Sequence, residues 1–338
     1  PPSKMTSPST NLSSLIDDSL HYHESVVIRT LFAINFVGSM TGIIAISSLL
    51  KNGIWRKLAK HRNLLVSLAS HCLWTAVMCI GVLINTSAQL CRYFTFSLPA
   101  DLLISGWECF LRISLFATAL NGVIFSLVVT AVERLIGTVI HKSYIGNSIK
   151  ICALLITLQV CVPIAMTLSM GIDYGLTESF SFCTVQTTRN KHIHEVLIVF
   201  FFIFVILSLV LFHSMNYGNR RLLGSLHKTS LTQRYQVKEN LRMLFLLSPL
   251  FDCHSLITLP LLLVFTFLPK LWSSYKPRDY AINEEIFHVM YLHGLALPLF
   301  LLLRNTLQRR YAGRYREHAD LTERRVTDLY LSSTQKAW

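Results

Sequence analysis

Charge is what this sequence has least of. Only 14% of its 338 residues are Asp, Glu, Lys or Arg, against about 25% in an ordinary soluble domain. Acids are the scarcer sign, 18 against 31 basic residues. A chain so poor in charge and 52% hydrophobic keeps much of itself away from water. Enzyme signatures are missing too: no His-x-x-Glu-His zinc pattern, no nucleophile elbow and no phosphate-binding glycine loop. Asp252-Cys253-His254 looks like a catalytic set only on paper, because helical neighbours point about 100° apart. No enzymatic activity, cofactor or metal site is therefore expected. No internal repeat or low-complexity tract divides the chain.

What is present is apolar sequence in blocks. Seven stretches stand out: 26–50, 63–84, 109–132, 149–170, 196–212, 243–268 and 286–303. Each approaches the ~20 residues that a helix needs to cross ~30 Å of hydrocarbon. The fifth, VLIVFFFIFVILSLVLF, has no charge at all, so a soluble helix of that composition would expose apolar surface on every side. Lipid offers no partner to backbone N–H and C=O, which favours helices over open strands. A membrane β-barrel would show shorter, alternating segments. The expectation is an all-α membrane protein, a seven-transmembrane-helix bundle over 26–303. A tail over 1–25 precedes it, and a cytoplasmic segment over 304–338 follows. The first 25 residues are polar, so no cleavable signal peptide is expected and the first span would serve as the targeting signal.

Loops rich in Lys and Arg stay in the cytoplasm. The odd loops and the C-terminal tail together hold 21 of these residues, and the opposite side holds 7. The N-terminus is therefore expected outside, as in a multi-pass plasma-membrane protein. The formal net charge of +13 reads as anchoring to anionic membrane lipids, not as nucleic-acid binding. Two glycosylation sequons fall on the outer side, at Asn11 and Asn85. Asn85 lies very near a span end, which favours Asn11.

Of the eight cysteines, Cys91, Cys109 and Cys183 lie on the outer, oxidising side, where a disulfide is permitted. Cys109 opens the third span and Cys183 sits in the second outer loop. A bond between them would tie that loop over the bundle, with Cys91 able to compete for either partner. The cysteines within spans read as small apolar residues.

The third span ends in Glu133-Arg134, with 25 residues separating Arg134 from Cys109, a rise of about 37 Å on a helix. Seven spans with this Cys-to-Arg spacing resemble a G-protein-coupled receptor of the rhodopsin-like kind. Two segments narrow the likeness. Glu133-Arg134-Leu135-Ile136-Gly137-Thr138, followed by Lys142-Ser143-Tyr144, resembles the Glu-Arg-x-x-Ala-Thr and Lys-x-Tyr-Glu pattern of nematode serpentine chemoreceptors. Residues 230–240, SLTQRYQVKEN, resemble the segment before the sixth span in the Sra superfamily, which includes the Sra, Srab, Srb and Sre families. The resemblance implies a chemosensory receptor, working in a sensory neuron, with a small-molecule ligand outside and a heterotrimeric G protein inside. It implies that Glu133 restrains Arg134 at rest. Arg234 and Lys238 share a helical face with Arg242, and that stripe would meet the G protein or lipid headgroups.

The family pattern is also incomplete here. The second span has no Asp, and its only ionisable side chain is His71. The Asn-Pro-x-x-Tyr of the seventh span is reduced to Leu297-Pro298-Leu299-Phe300-Leu301. Phe116 stands where amine receptors place an Asp, and no Lys in the seventh span could hold a retinal. Intramembrane ionisable groups are costly and so become ligand-pocket candidates: Arg112, Asp252, His254, His288 and His293, with Phe116 beside them. Arg112 and the outer histidines would favour an acidic or hydrogen-bond-accepting small molecule. After the last span, Leu307, Tyr311 and Tyr315 recur every fourth residue among arginines, which predicts a short amphipathic helix on the inner surface. The alternative function is a small membrane transporter or a ligand-gated channel, but no related halves are visible.

Overall fold

The computed structural model describes residues 12–51, 62–96, 98–139, 141–185, 187, 189–225, 231–271, 277–296, 298 and 299. The description below concerns the compact unit that ends at Ala296; the second unit, 297–338, holds only Pro298 and Leu299 among the described residues. The expected amphipathic helix lies outside them.

Among the described residues eight α-helices occur in this order: α1 Leu12–Glu24, α2 Val26–Lys51, α3 Arg62–Thr95, α4 Gly106–Val139, α5 His141–Gly171, α6 Lys191–Ser225, α7 Leu231–Leu271 and α8 Pro277–Phe287. Five of them, α2 to α6, are long and apolar enough to cross a membrane, and α7 carries a shorter apolar stretch over Leu250–Val264. Every helix that contains an expected span outruns its apolar block on at least one side. Hydropathy marks only the part that needs hydrocarbon, whereas backbone hydrogen bonding continues the helix beyond it.

The α4 helix is the central post. Within its apolar window 72% of residues are buried, against 22% for α5. Phe116, Leu120, Val123, Ile124 and Leu127 from α4 anchor the core, joined by Met78 and Val82 of α3 and Val205 of α6. Large apolar side chains such as Val199, Phe200 and Ile203 face outwards, as lipid contact requires. Small polar pairs link the helices where water is absent: Ser67 with Thr130 at 2.6 Å, Thr118 with Thr167 at 3.0 Å, and Asn121 with Thr167 at 3.2 Å. The α3–α4 contact is close enough to demand glycine. A Cβ on Gly81 would stand 2.8 Å from the Phe116 backbone nitrogen.

At one end of the bundle the loops are tied down. Ile104–Ser105 pairs antiparallel with Ser179–Phe180. Cys109, at the start of α4, is joined to Cys183 with the Cα atoms 5.2 Å apart, and Cys91 is left free and exposed. The N-terminal segment departs from its expected form as a tail. Residues 12–24 form α1, which buries Ser19, Tyr22 and His23. Tyr22 stacks on Phe182 of the tied loop at 5.4 Å and meets Phe32 edge-on at 5.9 Å. Leu12, Leu15, Ile16 and Leu20 recur in it at helical spacing, although the side chains it buries are Ser19, Tyr22 and His23. A second departure lies in the last span, where α8 tightens into a 3₁₀ turn, His288–Tyr291, before the helix resumes.

Widening the α3–α4 contact should unsettle the whole bundle. Gly81→Val overpacks that contact at a cost of about 1–3 kcal/mol and lowers the melting temperature of the purified chain. Gly218→Val, where a Cβ would meet nothing within 4 Å, is the control and leaves it nearly unchanged. Equal melting temperatures for both variants would contradict the close approach.

Candidate functional site

The disulfide end encloses two fully buried carboxylates, Glu284 and Glu285, on α8. Glu285 is held from three elements. Tyr22 of α1 donates its hydroxyl to Oε1 at 2.9 Å. Asn35 of α2 donates Nδ2 to the Glu285 backbone oxygen at 3.2 Å and to Oε2 at 3.4 Å. His288 brings Nδ1 to 3.3 Å from Oε2. Burial, with the two carboxylates adding to it, holds the Tyr22 phenol well above its usual range, so it remains a donor. Glu284 is held differently: its Oε1 accepts the Val185 N–H at 2.9 Å, two residues beyond the disulfide.

The wall and roof follow from the same elements. Phe116 of α4 packs against His288 with ring centroids 4.8 Å apart. Tyr174 donates its hydroxyl to the Thr184 carbonyl at 2.5 Å, and its own pKa is raised, first by burial and then by Glu284. At the rim, Arg92 and Arg112 converge on one carboxylate, Glu108. His23 lies beside Tyr93, and Arg29 donates Nε to the His23 carbonyl at 2.8 Å while lying 4.4 Å over the Tyr93 ring. Burial first, then Arg92 and Arg29, push the His23 imidazole down to about 4.

Further along the bundle three buried histidines meet. His71 of α3 lies 2.6 Å from Ser126 Oγ. His254 of α7 and His293 have centroids 4.4 Å apart and share Thr258 Oγ1 at 3.2 Å each. Among the described residues no group of three or more His, Cys, Asp or Glu is arranged to hold a metal. At the far end of α4, Glu133 and Arg134 are both buried and form an ion pair, and the carbonyl of Arg134 accepts from Thr138 Oγ1 at 2.8 Å.

A membrane-embedded bundle with one long central helix, disulfide-tied at one end and carrying a buried Glu-Arg pair at the other, matches a known family over almost its whole length. Residues 16–338 match the family described as "Serpentine type 7TM GPCR receptor class ab chemoreceptor". The chain belongs to that family. It is also 24% identical over 268 residues to "Serpentine receptor class alpha/beta-14" of Caenorhabditis elegans, covering 75% of this chain and 67% of that protein. Within the broader superfamily that the Glu-Arg and SLTQRYQVKEN segments resemble, the class is therefore alpha/beta.

The expected residues of this class ab chain divide into groups. Phe116 and His288 meet at the disulfide end. His254 and His293 meet each other instead, with His71, about one and a half turns further along. Arg112 is engaged by Glu108 and does not stand alone in a cavity. Asp252 requires correction: it is exposed on the outer face of α7, paired with His213 of α6 at 2.9 Å and with Ser248 at 3.3 Å. Its aspartate is kept on the bundle surface by a neighbouring-helix partner rather than by the interior. Asn85 also requires correction, because it is buried inside α3, which leaves a glycan no room. Asn11 lies outside the described residues. Lys238 is exposed on α7, whereas the side chain of Arg234 lies outside the described residues.

The sequence pattern does not single out Glu284, Glu285 or Tyr22. A seventh span that begins at Ile286 leaves the two acids immediately before it in a loop. The available signal was the spacing: Glu284 and Glu285 stand four and three residues before His288, on one helical face.

His23 makes the docking of α1 depend on pH. Its folded value lies below the unfolded one, so docking stability is complete above about 6.5 and falls as pH drops towards 4, by up to about 3 kcal/mol. Hydrogen exchange of α1 amides should therefore speed up between pH 6.5 and 4, after correction for intrinsic rates. The increase should vanish in His23→Phe; an unchanged profile in that variant would assign the effect elsewhere.

Proposed function

We propose that this chain is a chemosensory G-protein-coupled receptor of the plasma membrane of a sensory neuron, with its N-terminus outside. It takes a small-molecule ligand between the helices at the disulfide end and activates a heterotrimeric G protein at the other. The observation that carries this reading is the layout of α4. One helix holds Cys109 and Phe116 beside the buried polar cluster, and Glu133-Arg134 as a buried ion pair at its far end. Membership of a chemoreceptor family supports it.

The mechanism is a population shift. A buried ion pair is costly to break because each partner is left charged and unsolvated. The Glu133–Arg134 pair therefore favours one arrangement of the inner ends. A ligand that binds the other arrangement more tightly moves the equilibrium towards it, by as much as its differential affinity allows. In that arrangement Arg134 leaves Glu133 for the G protein, and Lys238 and Arg234 on α7 offer further positive charge to an acidic surface.

The test needs no ligand. Glu133→Gln weakens the restraint, and about 1.4 kcal/mol of lost restraint raises the active population about tenfold. Basal nucleotide exchange on a panel of purified heterotrimeric G proteins should rise by that order, and Arg134→Ala should abolish it. Exchange that neither variant alters, or that no heterotrimer shows, would contradict the proposal.

A further inference from the structure

The buried groups at the disulfide end do not balance. Two carboxylates, Glu284 and Glu285, face one ionisable base, His288, and all three are almost wholly buried. Glu285 takes Tyr22, Asn35 and His288. Glu284 is left with neutral donors only, the Val185 N–H and the Thr184 hydroxyl, and its Oε2 is buried without a hydrogen-bond partner. A second acceptor reaches the same cluster from another helix: Asn35 is fully buried, bonds to Glu285, and has no donor for its Oδ1. Arg92 and Arg112 do not correct the deficit, since both pair with Glu108 at the rim. The unpaired Asn283 Nδ2 is neutral and supplies no charge. Buried charge without a counter-charge is expensive, and so are buried acceptors without donors.

We infer that this cluster is the ligand's recognition point, and that the ligand is a small protonated amine whose ammonium group is held by Glu284. The inference rests on the receptor reading and names its ligand class. It departs from the acidic or hydrogen-bond-accepting ligand that Arg112 and the outer histidines suggested. An ammonium carries both things the cluster lacks, a positive charge and several N–H donors. Such charge-assisted bonds are the stronger kind. The ring of Phe116, against His288, gives the apolar part of such an amine a surface to lie on. Entry requires α1 to lift, because Tyr22 closes the cluster through Glu285.

The purified full chain, in detergent at pH 7, is the material for the test. Its melting temperature is measured against 2-phenylethylammonium, histamine and tetramethylammonium, against benzoate and phenylacetate, against the neutral benzyl alcohol, and against sodium chloride alone. At least one ammonium compound is expected to stabilise the wild type in a saturable way. Glu284→Gln, which keeps an acceptor for the Val185 N–H, should weaken that apparent affinity at least tenfold. Glu284→Asp, which keeps the charge, should retain part of it and covers the case in which the Gln variant does not fold. Stabilisation that survives Glu284→Gln, or that no ammonium compound produces, would overturn the inference. So would stabilisation by sodium alone, which would make the cluster a metal-ion site. If benzoate, phenylacetate or benzyl alcohol stabilises the chain and Phe116→Ala weakens the effect, the amine is wrong while the receptor reading stands.

Discussion

The carboxylate of Glu285 has no water to turn to, and the disulfide end of the molecule is assembled around that fact. Its neighbours come from α1, α2 and its own helix. Tyr22 fixes the N-terminal helix, Asn35 fixes α2, and His288 brings its imidazole alongside at the point where the last helix tightens into a 3₁₀ turn. A mid-helix 3₁₀ turn often marks a hinge, and here it begins at the residue that pairs with Glu285. Removing any partner leaves a buried carboxylate under-satisfied, a penalty larger than the net worth of the bond itself. The folding of α1 against the bundle is therefore a polar event as much as an apolar one.

Hydrocarbon imposes the same rule along the rest of the bundle, and α4 is where it is met most often. Polar groups on α4 find partners at successive levels: Thr118 and Asn121 with Thr167, Ser126 with His71, Thr130 with Ser67, and Glu133 with Arg134. These contacts pin α3 and α5 to the post at fixed heights. Gly81 lets α3 approach closely enough for the short hydroxyls to reach. A change at the Phe116 level, next to His288, thus has a packed route towards the Glu133–Arg134 level through one rigid helix and its neighbours.

Much of this was legible in the sequence, for reasons that differ by residue. The apolar blocks announced helices because hydropathy over ~20 residues is a direct imprint of the bilayer. Cys109 and Cys183 could be paired in outline because only three cysteines lay on one side, and Glu133-Arg134 stood out because charge at a span end is rare. The remainder depended on tertiary contact. The α1 helix is stabilised by Phe182 and Glu285, which are distant in sequence, so its polar composition read as a tail. Glu284 and Glu285 fell outside a span boundary drawn at the first apolar residue. Asp252 read as interior because its sequence neighbours are apolar, and only the helix register shows that it faces outwards to His213.

The most direct test of the central role of Glu285 is a double-mutant cycle with Tyr22, measured as the stability of the purified chain. Tyr22→Phe removes the donor and Glu285→Gln removes the charge. A hydrogen bond to a charged group is worth about 1.5–3 kcal/mol, so the two substitutions should couple by that order and should loosen α1 together. Independent sites add within about 0.5 kcal/mol. A cycle that closes within that margin would show that α1 is held by apolar contact alone, and that Glu285 does not organise this end of the molecule.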